Sequence, residues 1–250
     1  MEGHVTVTQV QSETELWVQR MTGAKKKNDA AALLVADDKR KEGRAATQAL
    51  MRWLPAAKRA AAQEALYGNG PPDVVIQWAG GCILGAKPFL YWRYLQTLLP
   101  KVWLSESVVD YYMHCLHERE RKAFQANKVG AKRCFFYRTA FYGYVHPTGA
   151  QHAPYEYSQV SKWTKRGVPG NSLFSCDALF FPCNIGDDHW ILIVAFMKEK
   201  TIQVFDSVHA NYRSGVLLVI YQYLQDEHRS KFNGEPMKDE KVWKLYAECP

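Results

Sequence analysis

"GDDHWILIVAFMKEKTIQVFDS", residues 186 to 207, holds two apolar runs separated by a charged turn. The runs are dominated by Ile, Val and Phe, side chains that suit a pleated, half-buried surface, and together they read as a β-hairpin. Turn length then decides what the polar ends do. A turn of Lys198 and Glu199, or of the four residues 197 to 200, sets Asp206 opposite Ile191 and so on the same sheet face as His189. The two become diagonal neighbours about 7–8 Å apart along the backbone, within reach of a His side chain. A three-residue turn puts them on opposite faces instead. A carboxylate beside an imidazole fixes the ring's tautomer and stabilises the imidazolium formed on proton uptake. His189 and Asp206 are therefore candidate catalytic residues, weighed against the plainer reading of two polar groups at strand ends.

The remaining composition narrows the class. A chain of 250 residues, 47% hydrophobic, can bury a substantial core as one large domain or as a smaller domain with an extension. The net charge of +7 favours an acidic partner surface. No Lys/Arg stripe with interleaved aromatics is present, so nucleic acid is not the expected partner. The six cysteines form no C-x-x-C pair, so free thiols in a reducing compartment are expected, with no structural zinc and no cofactor. The N-terminus lacks a signal-peptide pattern, and no apolar run approaches the roughly eighteen residues that span a bilayer. The expected setting is intracellular, nucleus or cytoplasm, without a membrane. Neither a Gly-rich phosphate loop nor a G-x-S-x-G elbow occurs, which leaves nucleotide and serine-hydrolase chemistry without support.

Two regions differ in character. Residues 1–73 are an Ala/Lys-rich, basic, helix-forming extension, ended by "YGNGPPD" at 67 to 73. Its "AKKKN" run at 24 to 28 reads as a solvated helix end ahead of a nuclear-import signal. Residues 74–250 are richer in aromatic and β-branched residues. "SESVVDYYMHCLHERERKAF" (105 to 124) predicts a helix capped by Ser105, with Val108, Val109, Tyr112, Met113 and Leu116 on one face. On it His114 and His117 read as surface residues. "KRCFFYRTAFYGYV" is too short to assign between strand and helix, and "LFSCDALFFPCNI" (173 to 185) predicts a buried strand that stops by Pro182. A helix over 215 to 232 and a last strand in "KVWKLYAECP" complete an α+β class.

Four segments in order resemble the Ulp1/SENP family of cysteine proteases, which process ubiquitin-like proteins such as SUMO. "WLSESVVDYYMHCL" (103 to 116) resembles its Trp-Leu-Asn-Asp helix start, with Ser and Glu in place of Asn and Asp. "CFFYRTAFYGY" (134 to 144) and "YSQVSKWTKR" (157 to 166) resemble its Phe-Phe-Tyr and basic Tyr-to-Trp segments. "LFFPCNIGDDHWILIVAFMKEKTIQVFDSVH" (179 to 209) is similar to its strand, His-Trp, hairpin and Asp-Ser block. The resemblance covers about residues 100 to 250. It implies a papain-like fold with a central mixed sheet flanked by helices, SUMO or another ubiquitin-like protein and its conjugates as partner, and cleavage after a C-terminal Gly-Gly. His189 is then the general base and Asp206 its orienting partner. Trp103 and Trp190 become the flat walls of a tunnel that admits only side-chain-free residues. Trp163 reads as core packing.

The same resemblance exposes a gap. The family's nucleophile follows the Asp, in a Gln-x-x-x-x-Asp-Cys-Gly stretch that opens a helix, and this sequence reaches "KLYAECP" without it. Cys249 has neither the following Gly nor the upstream Gln. Cys115, Cys176 and Cys183 read as packed thiols. The expectation is a protease-type chain that is inactive as written because its Cys lies beyond residue 250. The alternative is a non-catalytic module that binds a ubiquitin-like protein.

Overall fold

The structure is a computed structural model and describes residues 55–68, 75–78, 89–99, 102–145, 155–165, 167–186, 189–208, 213–237 and 242–247. Helix α1 (Ala56–Tyr67) precedes a two-stranded antiparallel ribbon of β1 (Val75–Trp78) and β2 (Phe89–Tyr91), and α2 (Trp92–Leu95) follows directly. Then come α3 (Glu106–Gln125), β3 (Cys134–Phe136), α4 (Ala140–Val145), β4 (Ala178–Ile185), β5 (His189–Phe196), β6 (Thr201–Phe205), α5 (Arg213–Lys231) and β7 (Lys244–Tyr246). The last five strands form one mixed sheet in the order β3-β4-β5-β6-β7, antiparallel in the middle and parallel at both ends. This is the α+β architecture expected. Most of the Ala/Lys-rich extension, including the "AKKKN" run, lies outside the described residues.

Both faces of the sheet are covered, and that explains why β4 and β5 are almost continuously apolar rather than alternating. Leu179, Phe181, Ile193 and Val204 pack against Leu217, Ile220 and Leu224 of α5. On the other face Phe136, Ala178 and Val194 meet Met113 and Leu116 of α3. The ambiguous "KRCFFYRTAFYGYV" contains both elements, with β3 followed after three residues by α4.

The structure corrects three expectations. Strand β4 does not stop at Pro182 but pairs with β5 through to Ile185. The Phe180 carbonyl accepts from the Tyr137 amide on the β3 side, so the Pro182 nitrogen, two residues on, faces the same way. Strand β3 pairs only as far as Phe180, so at Pro182 that edge carries no partner strand and the missing donor breaks no ladder bond. Secondly, His114 and His117 are buried, not superficial. Helix α3 packs against the sheet and also against the 134–145 segment, so its buried stripe is wider than its apolar stripe. Asp110, on that second side, accepts from the Arg138 Nε (3.0 Å) and the Thr139 amide (2.7 Å). Tyr112 turns outward in exchange and is exposed. Thirdly, Cys115 is exposed rather than packed. The helix start is as read, with the Ser105 hydroxyl accepting from the Ser107 amide at 3.1 Å.

Candidate active site

The β5–β6 turn consists of the four residues 197 to 200, and Phe196 pairs with Thr201 and Leu192 with Phe205. Continued by one pair, that register sets Ile191 opposite Asp206, which is the alignment that puts His189 and Asp206 on one face. His189 opens β5, Asp206 follows β6, and His189 Nε2 lies 2.7 Å from Asp206 Oδ1. A carboxylate only accepts, so Nε2–H is the donor, and it is Nδ1 that carries the lone pair in the neutral ring. The Val208 amide also donates to Asp206 Oδ1 at 2.7 Å, and the Asp206 side chain is fully buried. Backbone and imidazole together hold the acid in one orientation.

Trp190 points to the opposite face of β5 and donates its indole N–H to the Leu104 carbonyl at 2.9 Å. That bond brings the start of α3, with the exposed Trp103 beside it, to the hairpin end that carries His189. Both tryptophans named from the sequence thus belong to this end of the molecule. Trp163 is different: it is half-buried, edge-on to Phe141 and Tyr144 at 5.6 Å each, and it packs against the main core.

Between α3, the β2–α2 segment and the sheet lies an apolar cavity of about 840 Å³. Leu98, Val109, Leu192 and Phe205 are among its walls, and it reaches Trp190 and Asp206. No sequence pattern announced it, because its walls come from five separate stretches of sequence. The Leu104 carbonyl and the Val208 amide were also missed, since backbone groups carry no residue signature. Among the described residues, no group of three or more His, Cys, Asp or Glu side chains could hold a metal.

Among the described residues, no thiol joins this site. Cys183 stands opposite Ile191 on β4, fully buried, and its S–H faces the Phe181 carbonyl at 3.5 Å. Burial pushes its thiol well up. Burial also pushes Cys176 up to about 12, with the neighbouring Cys134 adding to the shift. Cys134 itself is pushed up to about 11, by burial first and then by Glu120 and Asp177. Such thiols are poor sources of thiolate.

The family model of the Ulp1 protease family, C-terminal catalytic domain, matches residues 102–246. A putative ubiquitin-like-specific protease 1B of Arabidopsis thaliana is 32% identical over 137 residues, which are 55% of this chain and 38% of that protein. Sentrin-specific protease 2 of Mus musculus is 29% identical over 166 residues, 66% of this chain and 24% of that protein. The chain therefore spans well under half the length of either relative. The solved C-terminal Ulp1 protease domain in complex with Smt3, the yeast ortholog of SUMO, matches with a TM-score of 0.57 at 19% identity. The match covers 78% of this chain and 74% of that one. The solved SUMO protease Ulp1 with its catalytic cysteine oxidized to a sulfinic acid gives 0.54 at 21% identity, over 80% and 77%. These two likenesses show the shared fold.

Proposed function

Because this chain belongs to the Ulp1 protease family, we propose that residues 74–250 form most of a cysteine protease domain specific for SUMO or another ubiquitin-like protein. Residues 1–73 are then an extension to it. The observation that carries this reading is the 2.7 Å contact of His189 Nε2 with Asp206, beside Trp190 at the mouth of the apolar cavity. In the reaction, His189 Nδ1 takes the proton of a thiol, and the thiolate sulfur attacks the carbonyl carbon of the substrate's C-terminal glycine. The C–N bond breaks, the imidazolium returns its proton to the leaving amine, and water hydrolyses the thioester. Asp206 keeps the ring oriented throughout. Trp103 and Trp190 admit a Gly-Gly tail because indole walls leave no room for side chains. The domain works inside the cell, in nucleus or cytoplasm.

Among the described residues no thiol stands beside His189. Cys134, Cys176 and Cys183 are buried and pushed up, and exposed Cys115 belongs to α3 rather than to the hairpin end. We propose that the nucleophile lies beyond residue 250, so that these 250 residues alone do not turn over substrate. The want of a described thiol at the site also favours a second reading, a module that binds a ubiquitin-like protein without cutting it.

The test is to incubate the chain with SUMO carrying a C-terminal thiol-reactive group and to read the mass, alongside Cys249→Ser. The expected result is no adduct, together with binding of unmodified SUMO that Trp190→Ala weakens about tenfold or more. An adduct lost in Cys249→Ser would make Cys249 the nucleophile and overturn its placement beyond residue 250. Absence of both adduct and binding would sink the substrate assignment. Adduct formation by a longer chain that carries a Cys-Gly helix start separates the protease from the binding module.

A further inference from the structure

The sheet has two ends, and the proposed chemistry uses only one. His189 and Asp206 mark the end where β5 begins and β6 finishes. At the other end β3, β4, β6 and β7 begin and β5 finishes, as the parallel register of Cys134 with Ala178 and of Thr201 with Lys244 requires. Lys132 and Arg133 lead into β3, Lys198 and Lys200 lie in the β5–β6 turn, and Lys244 opens β7. Lys128 belongs to the turn that precedes β3. Six cations thus share this end, and Lys128, Lys132, Lys198 and Lys244 are exposed. The described carboxylates near the row are Glu199, Asp177 and, on α3 beside Cys134, Glu120, which pairs with Arg119 at 2.7 Å. Asp177 is already engaged, accepting from the Arg133 amide at 2.7 Å and pairing with Lys198 at 2.5 Å. Its carboxyl is held below the usual carboxylate range by Lys198 and the Arg133 amide, against the opposing effect of burial.

From this row we infer a docking edge for an acidic, extended peptide, distinct from the site that holds His189. Five strands set about 4.8 Å apart give a row of roughly 19 Å, the length of about six extended residues. Its flanks are apolar. Val129 is fully exposed in the turn before β3, and Val242 is half exposed just before β7. An acidic stretch with an aliphatic residue at each end matches that order of charges. Nucleic acid matches it less well. The exposed ring nearest the row in sequence is Phe124 on α3, and single-stranded bases need a run of rings to stack on. Rim charges of this kind steer encounter and set salt dependence, so binding should be fast and salt-sensitive.

The experiment uses the 250-residue chain and a fluorescein-labelled peptide, Val-Glu-Glu-Asp-Glu-Glu-Val, read by anisotropy at low ionic strength. Saturable binding is expected, weakened about tenfold by the Lys132→Glu, Lys244→Glu pair. The Lys58→Glu, Arg93→Glu pair changes net charge equally but lies on α1 and α2, beside the cavity that reaches Trp190 and Asp206, so it should weaken binding by no more than about twofold. Circular dichroism confirms that each variant is folded, and all four substitutions are at exposed positions. Three results overturn the inference: no saturable binding, equal weakening by both pairs, or tighter binding of oligothymidylate than of the peptide. None of these readouts depends on peptidase activity, so the proposed function can fail while this edge stands, and the reverse.

Discussion

Trp190 and Leu104, 86 positions apart in sequence, are joined by an indole N–H to carbonyl hydrogen bond of 2.9 Å. It ties the residues leading into α3 to the strand that carries His189, so the residue named for substrate contact also fastens the two halves of the site. Trp190→Phe keeps most of the ring and removes the donor, leaving the Leu104 carbonyl unpaired. We expect a stability loss of about 1–3 kcal/mol, seen as a lower urea midpoint at unchanged slope. An unchanged midpoint would mean that the bond is replaced by water at no cost.

Glu227 makes the second long-range prediction. It is fully buried on α5, accepts from the Tyr157 hydroxyl at 2.6 Å and from Thr164 Oγ1, and has Lys231 at 3.6 Å. These bonds pin the 155–165 segment to the helix. Tyr157→Phe removes one donor but leaves the carboxylate two partners, and should cost about 1–2 kcal/mol. Glu227→Ala leaves both hydroxyls without their acceptor and should cost about 3 kcal/mol or more. In a double-mutant cycle the losses should fall short of additivity, because Tyr157→Phe has little left to remove once Glu227 is gone.

His114 and His117 predict an acid-sensitive fold. Burial lowers both below the ordinary value of 6.5. Glu118 pulls against that shift at each, and Arg121 and the neighbouring His add to it at His117. The unfolded chain therefore takes up these protons more readily than the folded one. Stability from the neutral rings is complete above about pH 6.5 and is lost as pH falls from there through the lower folded values. Urea midpoints measured from about pH 7.5 down to about pH 5.5 should decline, and a His114→Gln, His117→Gln variant should give a flatter profile. Parallel profiles for the two proteins would exclude these rings as the cause.

What could be read in advance follows from distance along the chain. His189 and Asp206 are seventeen residues apart on one hairpin, so a period of two reduced the question to turn length, and the four-residue turn answers it. The burial of His114 and His117 was not readable, because it depends on the segment from Cys134 to Val145 folding back over α3. Pro182 misled for a related reason: a proline is excluded only where its nitrogen faces another strand, and the length of β3 decides that. Glu227 and Tyr157 could not be matched from sequence, since a carboxylate in a helix and a tyrosine in a loop each have many possible partners. The apolar cavity is least readable of all, for it is a relation among walls rather than a property of any one of them.

That cavity gives the last prediction. Apolar walls enclosing about 840 Å³ beside Trp190 and Asp206 should take up an anilinonaphthalene sulfonate dye in the folded chain. Binding to the native state only should raise the thermal midpoint with dye concentration, whereas a dye that favours loosened states should lower it. Leu98 and Tyr112 line the cavity and are also exposed, 49% and 60% respectively, so polar replacements there disturb little packing. Leu98→Gln with Tyr112→Gln should cut the fluorescence gain by about half while leaving the urea midpoint within about 0.5 kcal/mol of the parent. If the dye signal survives both changes, it comes from another surface.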